Sequence, residues 1–301
     1  MDKIKLILES LNEVILGNPL ANKLAVVCLL ARGHLLIEDI PGVGKTTLAH
    51  ALSDLFNLPF KRVQFTSDLL PTDIIGMTIY DLNSKKFQFK KGPIFTSILL
   101  SDEINRATPK TQSALLQAME EQQVSIEGKQ INLPNPFFVI ATQNPLEQSG
   151  TFPLPESQLD RFLLRISLGY PGDNFEKTLL KRGGHTSNRQ PTEPLVTVSE
   201  VIELCDKVND IHTSDALIDY LQSLISKTRG SSQFVNGLSP RAGLQWLQAA
   251  KAHAFVEGRD SVIPDDIQLL APYTAAHRLH CNDGADPTTE LNNIIESTEV
   301  L

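Results

Sequence analysis

The sequence predicts an α/β fold with a largely parallel sheet, followed by a second domain made only of helices. Short apolar runs suited to buried strands alternate with helix-spaced apolar positions up to about residue 168. A glycine-rich loop joins the first of these strands directly to a helix. After residues 169–173 (GYPGD) the strand signals fade and capped helices follow. We therefore expect an α/β core over residues 1–169 and a helical domain over residues 170–301.

Each element has a local signal. Apolar runs predict core strands at residues 34–38, 62–65, 98–100, 137–141 and 161–168, and alternating patterns predict hairpins at residues 78–89 and 124–133. Cap residues predict helices that begin after Asn18, Thr108, Thr197 and Ser239. Residues 183–194 are expected to form a polar loop. The tail after Cys281 has few apolar residues, so we expect it to be loosely held.

Composition excludes several classes of protein. The formal net charge of −8 and the pI near 5.4 disfavour a duplex-DNA-binding surface as the main function. No apolar run approaches the ~20 residues that a membrane span needs, so we expect no membrane insertion. The three cysteines are far apart and lack metal-ligand spacing. Cys28 and Cys205 lie on apolar helix faces and predict core thiols in a reduced, cytoplasmic compartment.

Residues 39–47 (DIPGVGKTT) differ in one letter from the phosphate-loop pattern G-x-x-x-x-G-K-[ST], which has glycine where this chain has Asp39. Gly42 and Gly44 would let backbone N–H groups wrap phosphates. Lys45 would reach the β- and γ-phosphates, and the Thr46 hydroxyl would bind Mg²⁺. Because aspartate adopts positive φ more readily than most residues, we interpret Asp39 as a tolerable substitute. The order strand, glycine loop, helix supports a working loop.

Polar residues end two further predicted strands. Asp102 and Glu103 follow the run at residues 98–100, at the carboxyl end of a parallel sheet, where such folds bind ligands. Asp102 would hold Mg²⁺ and Glu103 would polarise an attacking water. Asn144 follows the strand at residues 137–141 and could hydrogen-bond that water and the γ-phosphate. Alone, the acids would read as a solvated turn and Asn144 as a turn former before proline.

These motifs together resemble the MoxR family of AAA+ ATPases, with the magnesium chelatase ATPase subunit as a more distant relative. The resemblance covers nearly the whole chain and is carried by the stretches DIPGVGKTT (39–47), LSDEINRATPKTQSALLQAMEE (100–121), ATQNP (141–145), PLPESQLDRF (153–162) and SPRA (239–242). It implies a phosphate-loop AAA+ core, with the sheet flanked by helices, and a C-terminal all-helical lid. Members often carry a residue other than glycine at the position of Asp39.

The resemblance also implies roles for single residues. Asn144 matches sensor 1, Arg241 matches sensor 2, which reaches the γ-phosphate from the lid, and Arg161 matches the arginine finger that acts on the neighbouring subunit's nucleotide. The segment VILG, including Leu16 and Gly17, matches the part that packs on adenine. The whole loop is implied to bind nucleotide: Asp39, Ile40, Pro41, Gly42, Val43, Gly44, Lys45, Thr46 and Thr47. Arg106 is the alternative to Arg161 as the arginine that acts across subunits.

The implied function is Mg²⁺-dependent ATP hydrolysis by a homo-oligomeric ring, expected to be a hexamer. The resemblance further implies a chaperone-like role in maturing a client, often with a separate von Willebrand factor A domain protein as partner. A nucleic-acid motor is an alternative, since replicative helicases share the two hairpins, and Lys85, Lys86, Lys90 and Lys91 favour it. The net charge weighs against nucleic acid. A scaffold that binds nucleotide without hydrolysis is the third hypothesis, which Glu103, Asn144 and Arg161 disfavour.

Overall fold

The core contains a parallel sheet of five strands. The computed structural model describes residues 2–145, 150–170, 172, 175–177, 181 and 193–300, and its main sheet has the order β2-β5-β8-β1-β9. These strands are β1 (Leu35–Glu38), β2 (Phe60–Gln64), β5 (Ile98–Asp102), β8 (Phe138–Gln143) and β9 (Leu164–Ile166). Every neighbouring pair is parallel. The predicted α/β class is therefore confirmed, and all five carboxyl ends lie along one edge of the sheet.

The central strands are apolar up to their carboxyl ends because both of their faces are buried. In β1, Leu35 and Ile37 belong to one hydrophobic cluster, and Leu36 belongs to a second cluster on the opposite face. Strand β8 divides in the same way, with Ile140 in the first cluster and Val139 in the second. Successive side chains of a strand point to opposite faces, so a strand covered on both sides has no polar alternation.

Helices cover both faces of the sheet. The first cluster includes residues of α1 (Asp2–Val14), α2 (Pro19–Leu30) and α3 (Lys45–Leu55), and the second includes residues of α4 (Pro71–Ile75) and α5 (Pro109–Glu121). A 3₁₀ helix (Ile104–Arg106) and the short α6 (Glu156–Leu159) complete the core. Both predicted hairpins are present: β3 (Gly76–Asp81) pairs with β4 (Lys86–Lys91), and β6 (Gln123–Ile126) with β7 (Lys129–Asn132).

The C-terminal domain is helical. Its described helices are α7 (Val198–Asn209), α8 (Asp215–Gly230), α9 (Pro240–Val256), α10 (Pro264–Thr274) and α11 (Pro287–Glu296). Thr197 forms the predicted capping box with Glu200, and the Ser239 side chain accepts from the N–H of Ala242. The first core cluster continues into this domain through Cys205 and Trp246. No helix in the described part of the chain has the length and apolar character needed to cross a bilayer.

Two predictions about elements are wrong. The fifth strand starts at Leu164 rather than at Arg161, because the N–H groups of Arg161 and Phe162 close helical turns onto Gln158 and Leu159. The tail after Cys281 is not loosely held, since α11 buries Leu291 completely against the lid. The predicted loop at residues 183–194 lies outside the described residues except for its last two positions.

Candidate active site at the carboxyl edge of the sheet

The phosphate loop has an open backbone that can approach an anion. Gly42 and Gly44 have φ values of 88° and 100°, and a Cβ added at either would meet nothing within 4 Å. Gly44 is also the N-cap of α3, whose first turn starts at Lys45. The first N–H groups of a helix have no partner inside the helix and carry partial positive charge. The loop therefore presents donors and a helix terminus suited to phosphate.

This loop forms one wall of a cleft of about 350 Å³. The opposite wall comes from the ends of β2, β5 and β8. The lining residues are Pro41, Gly42, Gly44, Lys45, Thr46, Thr47, Arg62, Gln64, Asp102, Glu103 and Asn144. The fold thus brings together most of the loop and three residues that the sequence placed at other strand ends. It does so because β1, β5 and β8 are adjacent and parallel.

Thr142 fixes the two acids relative to each other. Its hydroxyl donates to Asp102 Oδ1 at 2.6 Å and accepts from the Glu103 N–H at 2.9 Å. Glu103 has a left-handed backbone with φ 56°, a conformation that costs free energy in a residue other than glycine. Thr142 is fully buried, so its hydroxyl supports this turn without competition from water. Sequence reasoning did not identify Thr142, although it precedes Asn144 by two residues on β8.

Cationic and amide side chains from the neighbouring strand meet the acids. Arg62 Nη2 lies 2.6 Å from Asp102 Oδ2, and Gln64 Nε2 donates to Glu103 Oε2 at 2.7 Å. Arg106 also pairs with Glu103, at 2.9 Å. Arg62 and Gln64 were not predicted as site residues. The two-residue spacing of Arg62 and Gln64 could have indicated them, because it places both on one face of β2. The register of this strand sets Gln64 opposite Asp102.

Lys45 is half-buried beside these carboxylates. Burial lowers the pKa of its ammonium group, while the charges of Asp39, Asp102 and Glu103 act in the opposite direction. Its Nζ donates to the Asp39 carbonyl oxygen at 2.5 Å. A desolvated ammonium group next to helix-terminal N–H groups gains from an anionic ligand, which is the property needed to bind phosphate.

The interpretation of Asp39 is wrong in its physical reason. Asp39 is not among the residues with positive φ. It is buried, and its carboxylate accepts hydrogen bonds from the N–H groups of Ile40, Leu168 and Gly169 and from the Ser167 hydroxyl. Asp39 thus replaces glycine because its side chain has partners, and not because its backbone needs freedom.

Several predicted site residues lie outside the cleft lining. These are Leu16, Gly17, Asp39, Ile40, Val43, Arg161 and Arg241. Leu16 and Gly17 lie in the connection between α1 and α2, and their contact with adenine stays a prediction.

Arg161 and Arg241 meet at one acid instead. Arg161 Nη2 lies 2.7 Å from Glu120 Oε2, and Arg241 Nη1 lies 2.9 Å from Glu120 Oε1. The hydrogen bond from Arg241 is the main reason why the pKa of Glu120 is lowered. Arg241 does not line the cleft of its own chain, and its contact with a γ-phosphate stays a prediction. Glu120, near the end of α5, was missed because nothing local links it to either arginine.

Comparison with known proteins agrees with this arrangement. Residues 34–164 match the ATPase family associated with various cellular activities (AAA), and residues 226–298 match the AAA lid domain. Chaperone MoxR1 of Mycobacterium tuberculosis is 38% identical over 298 residues, which is 94% of this chain and 78% of that protein. The chain belongs to the MoxR family of AAA+ ATPases. It is an ATPase with the AAA+ core and helical lid that its motifs predicted.

Three further relatives cover most of the chain. Uncharacterized protein YeaC of Bacillus subtilis is 45% identical over 271 residues, which is 90% of this chain and 85% of that protein. The crystal structure of a presumed ATPase from Cytophaga hutchinsonii superposes with a TM-score of 0.93 at 35% identity, covering 100% of this chain and 95% of that one. Protein MoxR of Paracoccus denitrificans is 29% identical over 307 residues, covering 93% of this chain and 89% of that protein.

The Thr142 hydroxyl gives a direct test of the acid pair. We expect Thr142→Val to slow phosphate release by roughly 10-fold or more, because the variant loses the hydroxyl's bonds to both acids and leaves the Glu103 N–H unsatisfied at about 1–3 kcal/mol. Thr142→Ser keeps the oxygen and is the matched control, with activity near that of the parent. Equal activities of the valine and serine variants would contradict the role of Thr142.

Proposed function

We propose that this MoxR-family protein hydrolyses Mg²⁺-bound ATP in the cleft between the phosphate loop and β5, and that it does so in a ring that acts on client proteins. One observation carries the proposal. The start of α3 and the Asp102–Glu103 pair face the same cleft, so N–H groups that can bind phosphate lie opposite two carboxylates. That pairing is what phosphoryl transfer to water requires.

The donor set fits a metal that arrives with the nucleotide. The described residues contain no cluster of three or more metal-ligating side chains. Mg²⁺ needs none, since it commonly uses one or two protein oxygens with phosphate oxygens and water. Thr46 and Asp102 line the cleft and would supply those oxygens. Bound there, Mg²⁺ would neutralise charge on the phosphates.

In the proposed reaction, the Glu103 carboxylate orients a water molecule toward the γ-phosphorus. The water oxygen bonds to that phosphorus, the bond from phosphorus to the β–γ bridging oxygen breaks, and ADP and phosphate leave. Lys45 and the loop N–H groups stabilise the charge on the phosphate oxygens. Asn144, buried at the end of β8, would hold the water or the γ-phosphate. Gln64 and Arg106 both donate to Glu103 Oε2 and hold the carboxylate at the cleft.

The positions of Arg161 and Arg241 support a ring. Both arginines converge on Glu120 and neither lines the cleft of its own chain. In an assembly, this shared surface can supply two cations to the neighbouring subunit's γ-phosphate. We propose that both arginines act across the subunit boundary, in a closed ring of expected hexameric symmetry, and that Glu120 holds them in place until the neighbour binds ATP.

A client surface is proposed on the hairpin of β3 and β4. Met77, Ile79, Tyr80 and Phe87 are exposed there, as is Leu82 at its tip, which is 81% exposed. Exposed apolar clusters of this kind mark interaction sites. Because the relative MoxR1 bears the name chaperone, we propose a chaperone-like role in the cytoplasm, with a von Willebrand factor A domain protein as an expected partner.

The same hairpin is the observation that favours a nucleic-acid motor as second candidate. Its lysines at positions 85, 86, 90 and 91 flank Tyr80 and Phe87, whose rings are 5.2 Å apart. Lysines interleaved with aromatic rings are typical of single-strand binding. The net charge of −8 opposes such binding, and for this reason we rank the client role first.

The cleft assignment predicts two separable defects. Lys45→Ala should abolish detectable ATP binding, because it removes the main cationic contact to the phosphates. Glu103→Gln should bind Mg·ATP like the parent and release phosphate roughly 100-fold or more slowly, because it lacks the charge that orients water. Calorimetric titration and phosphate release measure the two effects. Normal ATP binding by Lys45→Ala would refute the assignment.

Action across subunits predicts complementation. Arg161→Ala lacks the trans cation but keeps its own cleft, and Lys45→Ala lacks ATP but keeps both arginines. Mixed rings of these two inactive variants should regain a measurable part of the parent's phosphate release, since some interfaces combine both intact halves. The control is a mixture of Lys45→Ala with the Arg161→Ala/Lys45→Ala double variant, which should stay inactive. If subunits exchange without recovery, Arg106 becomes the arginine to test.

The lysines of the β3–β4 hairpin give a test that separates the client role from the nucleic-acid motor. A single strand held by its four lysines should lose about 50-fold in affinity between about 50 and 200 mM salt. We expect weak binding of an oligo(dT) probe at physiological salt, measured by fluorescence anisotropy. Changing the four lysines to glutamate is compared with the same change at exposed Lys5, Lys61, Lys110 and Lys207. Tight binding, lost only in the hairpin variant, would favour the nucleic-acid motor.

A further inference from the structure

Asp39 carries a buried carboxylate, and three of its four hydrogen-bond donors lie far away in the sequence. Its Oδ2 accepts from the N–H groups of Leu168 and Gly169 at 2.7 and 2.8 Å and from the Ser167 hydroxyl at 3.0 Å. Its Oδ1 accepts from the Ile40 N–H at 2.9 Å. Asp39 is 7% exposed. A buried charge is costly unless it is well hydrogen-bonded, and these four donors offset the cost of burying the Asp39 carboxylate.

The segment held by Asp39 is the exit from the sheet. Residues 167–169 follow β9 directly, β9 packs against α10 of the lid, and Gly169 has φ 65°. Asn18 holds the same segment from the other side, since its side-chain amide donates to the carbonyls of Ser167 and Leu168. Asp39 therefore binds the N–H side of this exit segment and Asn18 binds its carbonyl side.

The backbone of Asp39 contacts the lysine of the phosphate loop. Lys45 Nζ donates to the Asp39 carbonyl oxygen at 2.5 Å. Because the ammonium group has three N–H donors, phosphate oxygens can bind it beside this carbonyl, and a shift of Lys45 toward phosphate is then passed to the Asp39 main chain. One residue thus bonds the proposed phosphate contact through its main chain and the exit segment through its side chain. Glycine, the usual residue at this position of the motif, has no side chain for the second set of bonds.

The lid in turn holds the loop that carries Arg161. Arg278 is buried, and its guanidinium donates to Asp160 Oδ1 at 2.8 Å and to the Phe162 carbonyl at 2.7 Å. His277 Nε2 lies 3.2 Å from the same carbonyl. The residues on both sides of Arg161 are thereby fixed by the lid, so a change in lid position moves Arg161.

We propose that Asp39 is a positioning residue that couples the occupancy of the phosphate loop to the orientation of the lid. ATP changes the bonding of Lys45 to Asp39, the Asp39 carboxylate transmits the change to residues 167–169, and the lid carries it through Arg278 to Arg161. The inference rests on the proposed nucleotide cleft. Asp39, the residue that replaces glycine in the phosphate-loop motif, thus acts in communication between subunits in addition to its place in the loop.

The experiment compares Asp39→Gly with Asp39→Asn and with Ser167→Ala. Glycine restores the common motif letter and removes every side-chain bond. Asparagine keeps an oxygen for the N–H groups of Leu168 and Gly169, and Ser167→Ala removes a single donor. Calorimetry gives ATP affinity and phosphate release gives kcat and KM. Lid position is read from energy transfer between labels on Lys110→Cys and Asp219→Cys, with Cys281→Ser as background because Cys281 is partly exposed.

We expect Asp39→Gly to bind ATP within a few-fold of the parent and to lose roughly 10-fold or more in kcat, the size of a typical coupling between sites. Its ATP-dependent change in energy transfer should disappear, and Asp39→Asn should recover part of both signals. A merely structural role would lower the melting temperature without abolishing the ATP-dependent change. If Asp39→Gly keeps the parent's kcat and the parent's energy-transfer change, the coupling is overturned and the nucleotide cleft is not. If the parent itself does not bind ATP, the nucleotide cleft is overturned.

Discussion

The parallel hydrogen bonding of β5, β8 and β1 is the constraint on which the site depends. It brings Asp102, Thr142 and the start of the phosphate loop to one edge, although they are distant in sequence. Both faces of these strands must be apolar to be buried, so polar chemistry is confined to their ends. A shift in register between β5 and β8 would separate Thr142 from both acids and dismantle the cleft.

Hydrogen bonds and ion pairs around the cleft stabilise an unfavourable backbone conformation at Glu103. Glu103 has a left-handed backbone, and the Thr142 hydroxyl accepts its N–H. Asp102 has a cation beside it in Arg62, so the charge of this carboxylate is already balanced within the protein. Nucleotide binding in such a site exchanges one set of ion pairs for another. It does not fill an uncharged void, and rearrangement of side chains is part of the binding free energy.

Sequence reasoning succeeded where chemistry is local. Apolar runs predicted the strands, cap residues such as Thr197 predicted the helices, and the glycine-rich loop predicted the helix that follows it. It failed where a partner is remote. Glu120 joins Arg161 and Arg241 across 41 and 121 residues, and no periodicity encodes that contact. Asp39 was explained by backbone freedom because most of its partners lie more than a hundred residues away and are visible only after β9 is placed beside β1.

The position of Arg62 has a consequence for the sheet itself. Strand β2 is the outermost strand of the main sheet among the described residues, and its outward side has no strand partner there. Such an edge is a template for unwanted pairing with another chain. Lys61 and Arg62 are both exposed on this edge strand, and adjacent charges discourage edge-to-edge association. The residue that pairs with Asp102 in the cleft therefore also places charge on the strand where edge-to-edge pairing would otherwise begin.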